Sequence, residues 1–180
     1  MRPVVIRVGL LAMLLSVLVL GSATAQVATP TPQGPELPWT WSLQSYKKLR
    51  TIHVGDEALT VEIADTNDLQ TRGLSYRDGL EPGTGMLFVY PDSSNHTFWM
   101  KGMRFCLDIV WINNGEIIGA AENACPEPGV GDNQLTRYPS DGPAQFVLEV
   151  PAGWLADHGY GAGTPVDLSS VEVPSGLSGR

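Results

Sequence analysis

The sequence lacks an apolar run long enough to cross a membrane. The run Val8–Leu20 has 13 residues, whereas a membrane-spanning helix needs about 20. Arg2 and Arg7 precede this run and Ala23-Thr24-Ala25 follows it, an order that is typical of a secretory signal peptide with its cleavage site. We therefore expect removal of residues 1–25, no stable membrane span afterwards, and a periplasmic, cell-surface or extracellular protein. An uncleaved anchor is the alternative.

Cations are also scarce. The chain has 11 Lys and Arg against 19 Asp and Glu, which gives a formal net charge of −8. Loss of the two arginines in the signal peptide would change the net charge to −10. An acidic chain is repelled by phosphate backbones and anionic lipids, so we expect no nucleic acid partner. The expected partner is an unknown small polar or anionic ligand, or another protein.

The sequence has only two cysteines, Cys106 and Cys125, and an exported protein can keep a disulfide between them. Asn114-Gly115 predicts a tight hairpin turn, which places Cys106 opposite Asn123. Cys125 then lies two residues further along, on the same face as Cys106. That diagonal is about 7–8 Å between Cα atoms, whereas a disulfide usually spans about 4.4–6.8 Å. We expect a disulfide with a bulge or pinch at the strand end; two free buried thiols are the alternative.

Familiar catalytic motifs are missing as well. The sequence contains neither G-x-S-x-G nor H-E-x-x-H, the patterns of serine and zinc hydrolases. Its three histidines, His53, His96 and His158, are scattered along the chain. The sequence therefore favours a non-catalytic protein, and it assigns no catalytic residue, no cofactor and no metal.

The composition divides the chain into a linker, a domain and a tail. Residues 26–50 begin with four prolines among Thr, Gln and Gly, which is typical of a flexible, partly extended linker. The tail, residues 174–180, is rich in Ser and Gly and is expected to be flexible. A folded domain is expected over residues 51–173.

Short apolar or alternating segments separated by turns predict strands over most of this domain. Two short helices are also expected. One is capped near Asp65-Thr66 and ends at Gly73, and the other covers Ala152–His158. Many short strands with two short helices indicate an all-β single domain, an antiparallel β-sandwich or jelly-roll-like fold.

The segment Asn95–Asp108, NHTFWMKGMRFCLD, carries Lys101 and Arg104 inside an apolar and aromatic run. Charges in such a run are costly to bury unless they are paired. Because alternate strand residues face the same side, Trp99 and Lys101 share one face, and Met100 is expected in the core. The segment therefore predicts either a site or an internal ion network.

With the blocks VEIADT, RGLSYR, GMLFVY and YPSDGPAQFVLEVPAGWLADHG, this segment resembles the family called domain of unknown function 192. The resemblance covers nearly all of Thr51–Leu168. It implies a small, often exported β protein of sandwich type with no established activity. Cys106 stands where the family commonly has Pro, so the cysteine pair is expected to be a local addition. The positions that match the family pattern are Arg72, Gly73, Arg77, Trp99, Met100, Lys101, Asp108, Tyr138 and Glu149.

We predict a ligand-binding site among these positions. Arginine presents a planar fork of donors that suits carboxylates, and a tryptophan ring offers a stacking face to an anionic or sugar-like ligand. The alternative is a set of internal salt bridges, which is the favoured interpretation for Arg72 and Glu149. The predicted ligand-binding residues are Arg72, Arg77, Trp99, Lys101 and Asp108.

The expected function is a non-catalytic ligand- or partner-binding module. One alternative is a hydrolase of envelope or extracellular carbohydrate, in which Asp108 and Glu149 would lie about 5–9.5 Å apart. Another is a periplasmic Cu(I) carrier that uses His96, Met100 and Met103, although core methionines explain those residues more simply. A purely structural envelope protein is the third alternative.

Overall fold

A computed structural model describes residues 48–174 of the protein. The predicted signal peptide, most of the predicted linker and nearly all of the predicted tail lie outside the described residues. Within residues 48–174, no helix has the length and apolar character that a membrane crossing requires.

Strands are the main regular structure of the described residues. The strands are β1 (Leu49–Val54), β2 (Glu57–Ala64), β3 (Thr84–Ser94), β4 (Thr97–Phe98), β5 (Leu107–Asn113), β6 (Glu116–Ala124), β7 (Tyr138–Pro139), β8 (Ala144–Pro151) and β9 (Val166–Asp167). The helices are α1 (Asn67–Arg72) and α2 (Trp154–His158), and a 3-10 turn covers Asp132–Gln134. The predicted fold class, a mostly β single domain with two short helices, is confirmed.

Seven strands form one sheet in the order β6-β5-β8-β3-β2-β1-β9, and β4 pairs with β7 separately. All neighbours in the large sheet are antiparallel except β2 and β3, which are parallel. Parallel neighbours need a crossover connection, and the segment from Asp65 to Gly83, which contains α1, provides it. This crossover carries α1 and the turn after it across one face of the sheet.

The large sheet curls until its two edges meet. β9 pairs with β1, while Val166 N–H donates to the carbonyl oxygen of Gly115 at 2.7 Å and Ile117 N–H donates to that of Thr164 at 2.9 Å. The curled sheet encloses the larger core. Its fully buried side chains include Ile52, Val61, Leu87, Val110, Ile112, Leu148 and Val150.

The outer face of the sheet carries a second apolar cluster. Met86, Phe88, Ile109, Trp111 and Val147 point to this side, because they alternate along their strands with residues of the larger core. The turn after α1 adds Leu74, and the loop after β4 adds Met100, which is 3% exposed and so confirms the expected core position. The candidate pocket lies on this face.

The helix ends follow the predicted capping. The Thr66 side chain accepts a hydrogen bond from Leu69 N–H at 3.4 Å, and α1 ends at Gly73, which has φ 49°. α2 ends at Gly159 in the left-handed region, as predicted, but it begins at Trp154 because Gly153, with φ 85°, forms a turn.

The predicted hairpin and disulfide are both present. Asn114 and Gly115 have φ values of 51° and 78°, as a type I′ turn requires. Two bulges between β5 and β6 each add one residue to β6, so that Leu107 pairs with Ala124. Cys106 and Cys125 follow in this register with Cα atoms 4.1 Å apart, and they form a disulfide.

Candidate functional site

A pocket of about 600 Å³ opens on the outer face of the sheet. Two chain segments form its walls: residues 70–76 from α1 and its following turn, and residues 97–103 from β4 and its following loop. Phe88, Tyr90 and Glu149 form the floor, and Arg137 reaches the rim from the loop before β7.

The two walls are tied together by hydrogen bonds. Tyr76 N–H donates to the carbonyl oxygen of Gly102 at 2.8 Å, and the Ser75 hydroxyl donates to that of Lys101 at 2.8 Å. Tyr76 has φ 66°, a conformation that non-glycine residues rarely adopt, and its ring lies against Gly102. These contacts fix the spacing between the walls.

The rim carries cations beside an aromatic ring. Arg137 lies over Trp99 with its Cζ 3.8 Å from the ring centroid, and Lys101 Nζ is 5.3 Å from the same centroid. Lys101 also pairs with Asp132 at 2.6 Å, and the hydrogen bond to that carboxylate raises the pKa of Lys101 above its usual value. Arg72 adds a third cation from the opposite wall.

The floor contains a buried carboxyl group. Glu149 is 6% exposed, and its Oε2 is buried without a hydrogen-bond partner among the described residues. Burial raises the pKa of Glu149 to about 8, against the opposing effect of the Arg77 charge. Burial and the nearby Glu149 raise the pKa of Tyr90 to about 12. Both groups are therefore largely neutral at pH 7, below a cationic rim.

Three of the five predicted binding residues, Arg72, Trp99 and Lys101, come together at this pocket. Arg77 does not line it. Its guanidinium donates two hydrogen bonds to Glu62, at 2.7 and 2.8 Å. This bidentate ion pair is an internal salt bridge, the alternative to ligand binding that the sequence left open.

Asp108 lies apart from the other predicted residues. Its carboxylate is fully buried and accepts hydrogen bonds from the backbone N–H groups of Asn123, Gly153 and Leu155, at 2.9, 3.1 and 3.0 Å. Asp108 thus holds the β6 bulge at Asn123 and the first turn of α2, and it does not line the pocket.

Some pocket residues were not predicted. Arg137 lies in a long loop without hydrophobic periodicity, so nothing in the sequence connects it to Trp99. Tyr76 and Tyr90 were not singled out, and Glu149 was interpreted as part of a salt bridge. Glu149 is the single acidic residue in the apolar strand QFVLEV. A lone carboxyl group in such a strand indicates an unusual buried charge or a neutral acid.

The residues considered for Cu(I) have three separate environments. His96 stacks on Tyr90 with ring centroids 3.8 Å apart, and its Nε2 lies 3.0 Å from the carbonyl oxygen of Ala144. Burial lowers the pKa of His96. Met100 is in the core and Met103 lines the pocket. Residues 48–174 contain no cluster of three or more His, Cys, Asp or Glu suited to a metal ion.

A family model matches this chain, and so do solved structures. The model is DUF192, described as "Uncharacterized ACR", and it matches residues 50–168. A Sinorhizobium meliloti protein described as a candidate transcription regulator is 27% identical, with a TM-score of 0.63 over 69% of this chain and 97% of its own. A Novosphingobium aromaticivorans protein of unknown function is 28% identical, with a TM-score of 0.60 over 66% of this chain and 84% of its own. No curated protein matches the chain.

Proposed function

The chain belongs to the DUF192 family, and we propose that it is an exported, non-catalytic module whose outer-face pocket binds a small anionic ligand. The observation that carries this proposal is the convergence of Arg72, Lys101 and Arg137 on one pocket of an otherwise acidic chain. Cations grouped in a concave, partly apolar site attract anions more strongly than the same cations on an open surface.

The size and lining of the pocket also support a small molecule. A volume of about 600 Å³ lies within the usual range for small-molecule sites, which is about 300–1,000 Å³. Aromatic walls with a few polar groups can bury a ring while fixing its orientation. The aromatic residues of the pocket are Tyr76, Phe88, Tyr90, Phe98 and Trp99.

Charge argues against a nucleic acid ligand. The Sinorhizobium meliloti protein is described as a candidate regulator of transcription, but this chain has a net charge of −8. Binding to a phosphate backbone depends on many cations spread over a surface, whereas the cations that support our proposal lie around one pocket.

Export is supported by the signal-peptide pattern of residues 1–25 and by the Cys106–Cys125 disulfide, because disulfides persist in oxidising compartments. Cell fractionation followed by mass spectrometry of the N-terminus tests it. We expect the protein in the exported fraction, starting at Gln26. A cytosolic protein that retains residues 1–25 would contradict export.

A thermal-shift panel tests the binding function. Ligands that bind the folded state raise Tm with dose, so we expect small organic anions to raise it and their neutral analogues to leave it unchanged. Arg137→Ala and Trp99→Ala should abolish the rise. Arg104→Ala is the matched control, because Arg104 pairs with Asp78 at the surface and does not line the pocket. No shift with any anion would contradict the proposal.

One observation favours a second candidate, a carbohydrate hydrolase. A pocket carboxyl group with a pKa near 8 has the protonation state of a general acid at neutral pH. The two-carboxylate mechanism also needs a partner, but Asp108 does not line the pocket. Hydrolysis of nitrophenyl glycosides that Glu149→Gln abolishes would favour the hydrolase, and no turnover would favour the binding module.

A further inference from the structure

Glu149 occupies a position that packing alone would give to an apolar residue. It lies in the middle of β8, paired with Ile109 of β5 on one side and Met86 of β3 on the other. Its neighbours on this face belong to the outer apolar cluster. A buried polar atom without a partner destabilises the folded protein, and within the described residues nothing bonds Oε2.

The turn after α1 passes close to the Glu149 carboxyl group at Gly73. A Cβ at Gly73 would lie 3.2 Å from Phe88 Cζ and 4.0 Å from Glu149 Oε2. A side chain at this position would press against Phe88 and touch the Glu149 carboxyl group. Because Oε2 belongs to a residue that lines the pocket, a ligand in the pocket can supply the missing partner.

Charged and titratable groups surround this carboxyl group or line the same pocket. Arg77 from the crossover and Tyr90 from β3 interact with it electrostatically, and the pocket lining adds Arg72, Lys101 and Arg137. The Tyr90 phenol is neutral, and the other four groups are cations, of which Arg77 is paired with Glu62 and Lys101 with Asp132. A neutral carboxyl group below cations can donate its proton to a ligand oxygen without repelling an anion.

We infer that the ligand is a small organic anion bearing hydroxyl groups, whose acidic group meets Arg72 and Arg137 while one hydroxyl accepts a hydrogen bond from the Glu149 carboxyl. This inference rests on the proposed binding function and names the chemical class of its ligand. Uronic acids and sugar phosphates share this chemistry, and separate arms of the experiment distinguish them.

Calorimetric titration with matched probes tests the inference. Glucuronate and glucose 6-phosphate carry both features, glucose lacks the charge, and cyclohexanecarboxylate lacks the hydroxyls. We expect one or both of the first two to bind, and the two deficient analogues to bind about tenfold more weakly or not at all, since one lost hydrogen bond or charge contact is worth about a factor of ten.

Variants at Glu149 separate a ligand contact from a structural effect. Glu149→Leu should weaken binding of the hydroxylated anion about tenfold, whereas Glu149→Gln retains a donor and should bind within about threefold of the wild type. Wild-type affinity should fall above pH 8, when the carboxyl group ionises, and the Gln variant should lack that fall.

Each contrary outcome has a distinct meaning. Equal binding of cyclohexanecarboxylate and glucuronate would overturn the hydroxyl contact but leave the anion pocket intact. Tighter binding of glucosamine, a cation, would also overturn the inference, because that ligand would pair with an ionised Glu149. If none of the anions binds, the proposed function itself fails.

Discussion

Arg137 lies over the indole ring of Trp99, with its Cζ 3.8 Å from the ring centroid. The electron-rich face of an indole attracts a guanidinium group, and the contact is strongest where water is excluded. One face of Trp99 therefore supports a cation at the pocket rim. The aromatic wall and the anion-attracting charge of this site are parts of the same contact.

The Arg77–Glu62 pair is expected to contribute to stability and not directly to binding. Its two hydrogen bonds are short, and the side chains are 30% and 16% exposed. Arg77→Ala should lower the free energy of unfolding by about 1–2 kcal/mol, as expected for a half-buried bidentate pair. Urea denaturation measures the change. The exposed pair formed by Arg104 and Asp78 is the control, and an equal loss in Arg104→Ala would contradict the assignment.

Asp108 should be more important for stability than any of the predicted site residues in the pocket. Asp108→Ala removes the acceptor for three backbone N–H groups and should cost about 3 kcal/mol or more. Asp108→Asn should lower the free energy of unfolding by less, because the amide oxygen of Asn can still accept hydrogen bonds in place of one carboxylate oxygen. Chemical denaturation measures both variants. Ligand affinity should stay at the wild-type value while the protein is folded, and a selective loss of affinity would place Asp108 in the site.

Reduction of the disulfide should weaken both folding and binding. Cys106 and Cys125 are 19 residues apart, and closing such a loop stabilises a protein by about 3 kcal/mol. The bridge also joins the end of the Trp99 segment to the start of the loop that carries Arg137. We expect lower Tm and lower ligand affinity in reducing buffer. A Cys106→Ser/Cys125→Ser variant should have the Tm and ligand affinity of the reduced protein, and reductant should not change them further. Wild-type ligand affinity in both the reduced protein and this variant would contradict a link between the disulfide and binding.

Glu149 should make stability depend on pH in an unusual direction. The pKa of this carboxyl group is near 4.5 when unfolded and about 8 when folded, so the folded protein holds an extra proton between these values. Its contribution to stability is therefore full below pH 4.5, declines as the pH rises to 8, and then levels off. The decline amounts to a few kcal/mol.

The difference in unfolding free energy between the wild type and Glu149→Gln isolates this effect, because the other carboxyl groups are common to both proteins. Measured by urea denaturation from pH 5 to pH 8.5, the difference should move steadily in favour of the Gln variant. A difference that does not change with pH would show that Glu149 titrates normally.

The sequence was most informative where local chemistry decides the structure. The hairpin turn at Asn114-Gly115 and the helix end at Gly73 follow from backbone conformations that few residues adopt. The bulge needed to bring Cys106 to Cys125 follows from strand geometry. The buried position of Met100 follows from the alternation of side chains along an extended chain.

The sequence was less informative about contacts between distant segments. Alternation assigns a residue to a face but does not identify the neighbouring strand, so the parallel β2–β3 pair and the meeting of the sheet edges were not predicted. For the same reason Arg77 could not be assigned to Glu62, and Arg137 could not be assigned to Trp99. The pocket depends on such long-range contacts.

Backbone amide NMR of the oxidised protein, titrated with glucuronate and glucose 6-phosphate, tests the central claim most directly. We predict saturable shifts for at least one probe, concentrated in residues 70–76 and 97–103 and around Arg137 and Glu149, and lost in Arg137→Ala but not in Arg104→Ala. Shifts that stay linear to high concentration, or that cluster away from the outer-face pocket, would contradict the assignment of this pocket as an anion-binding site.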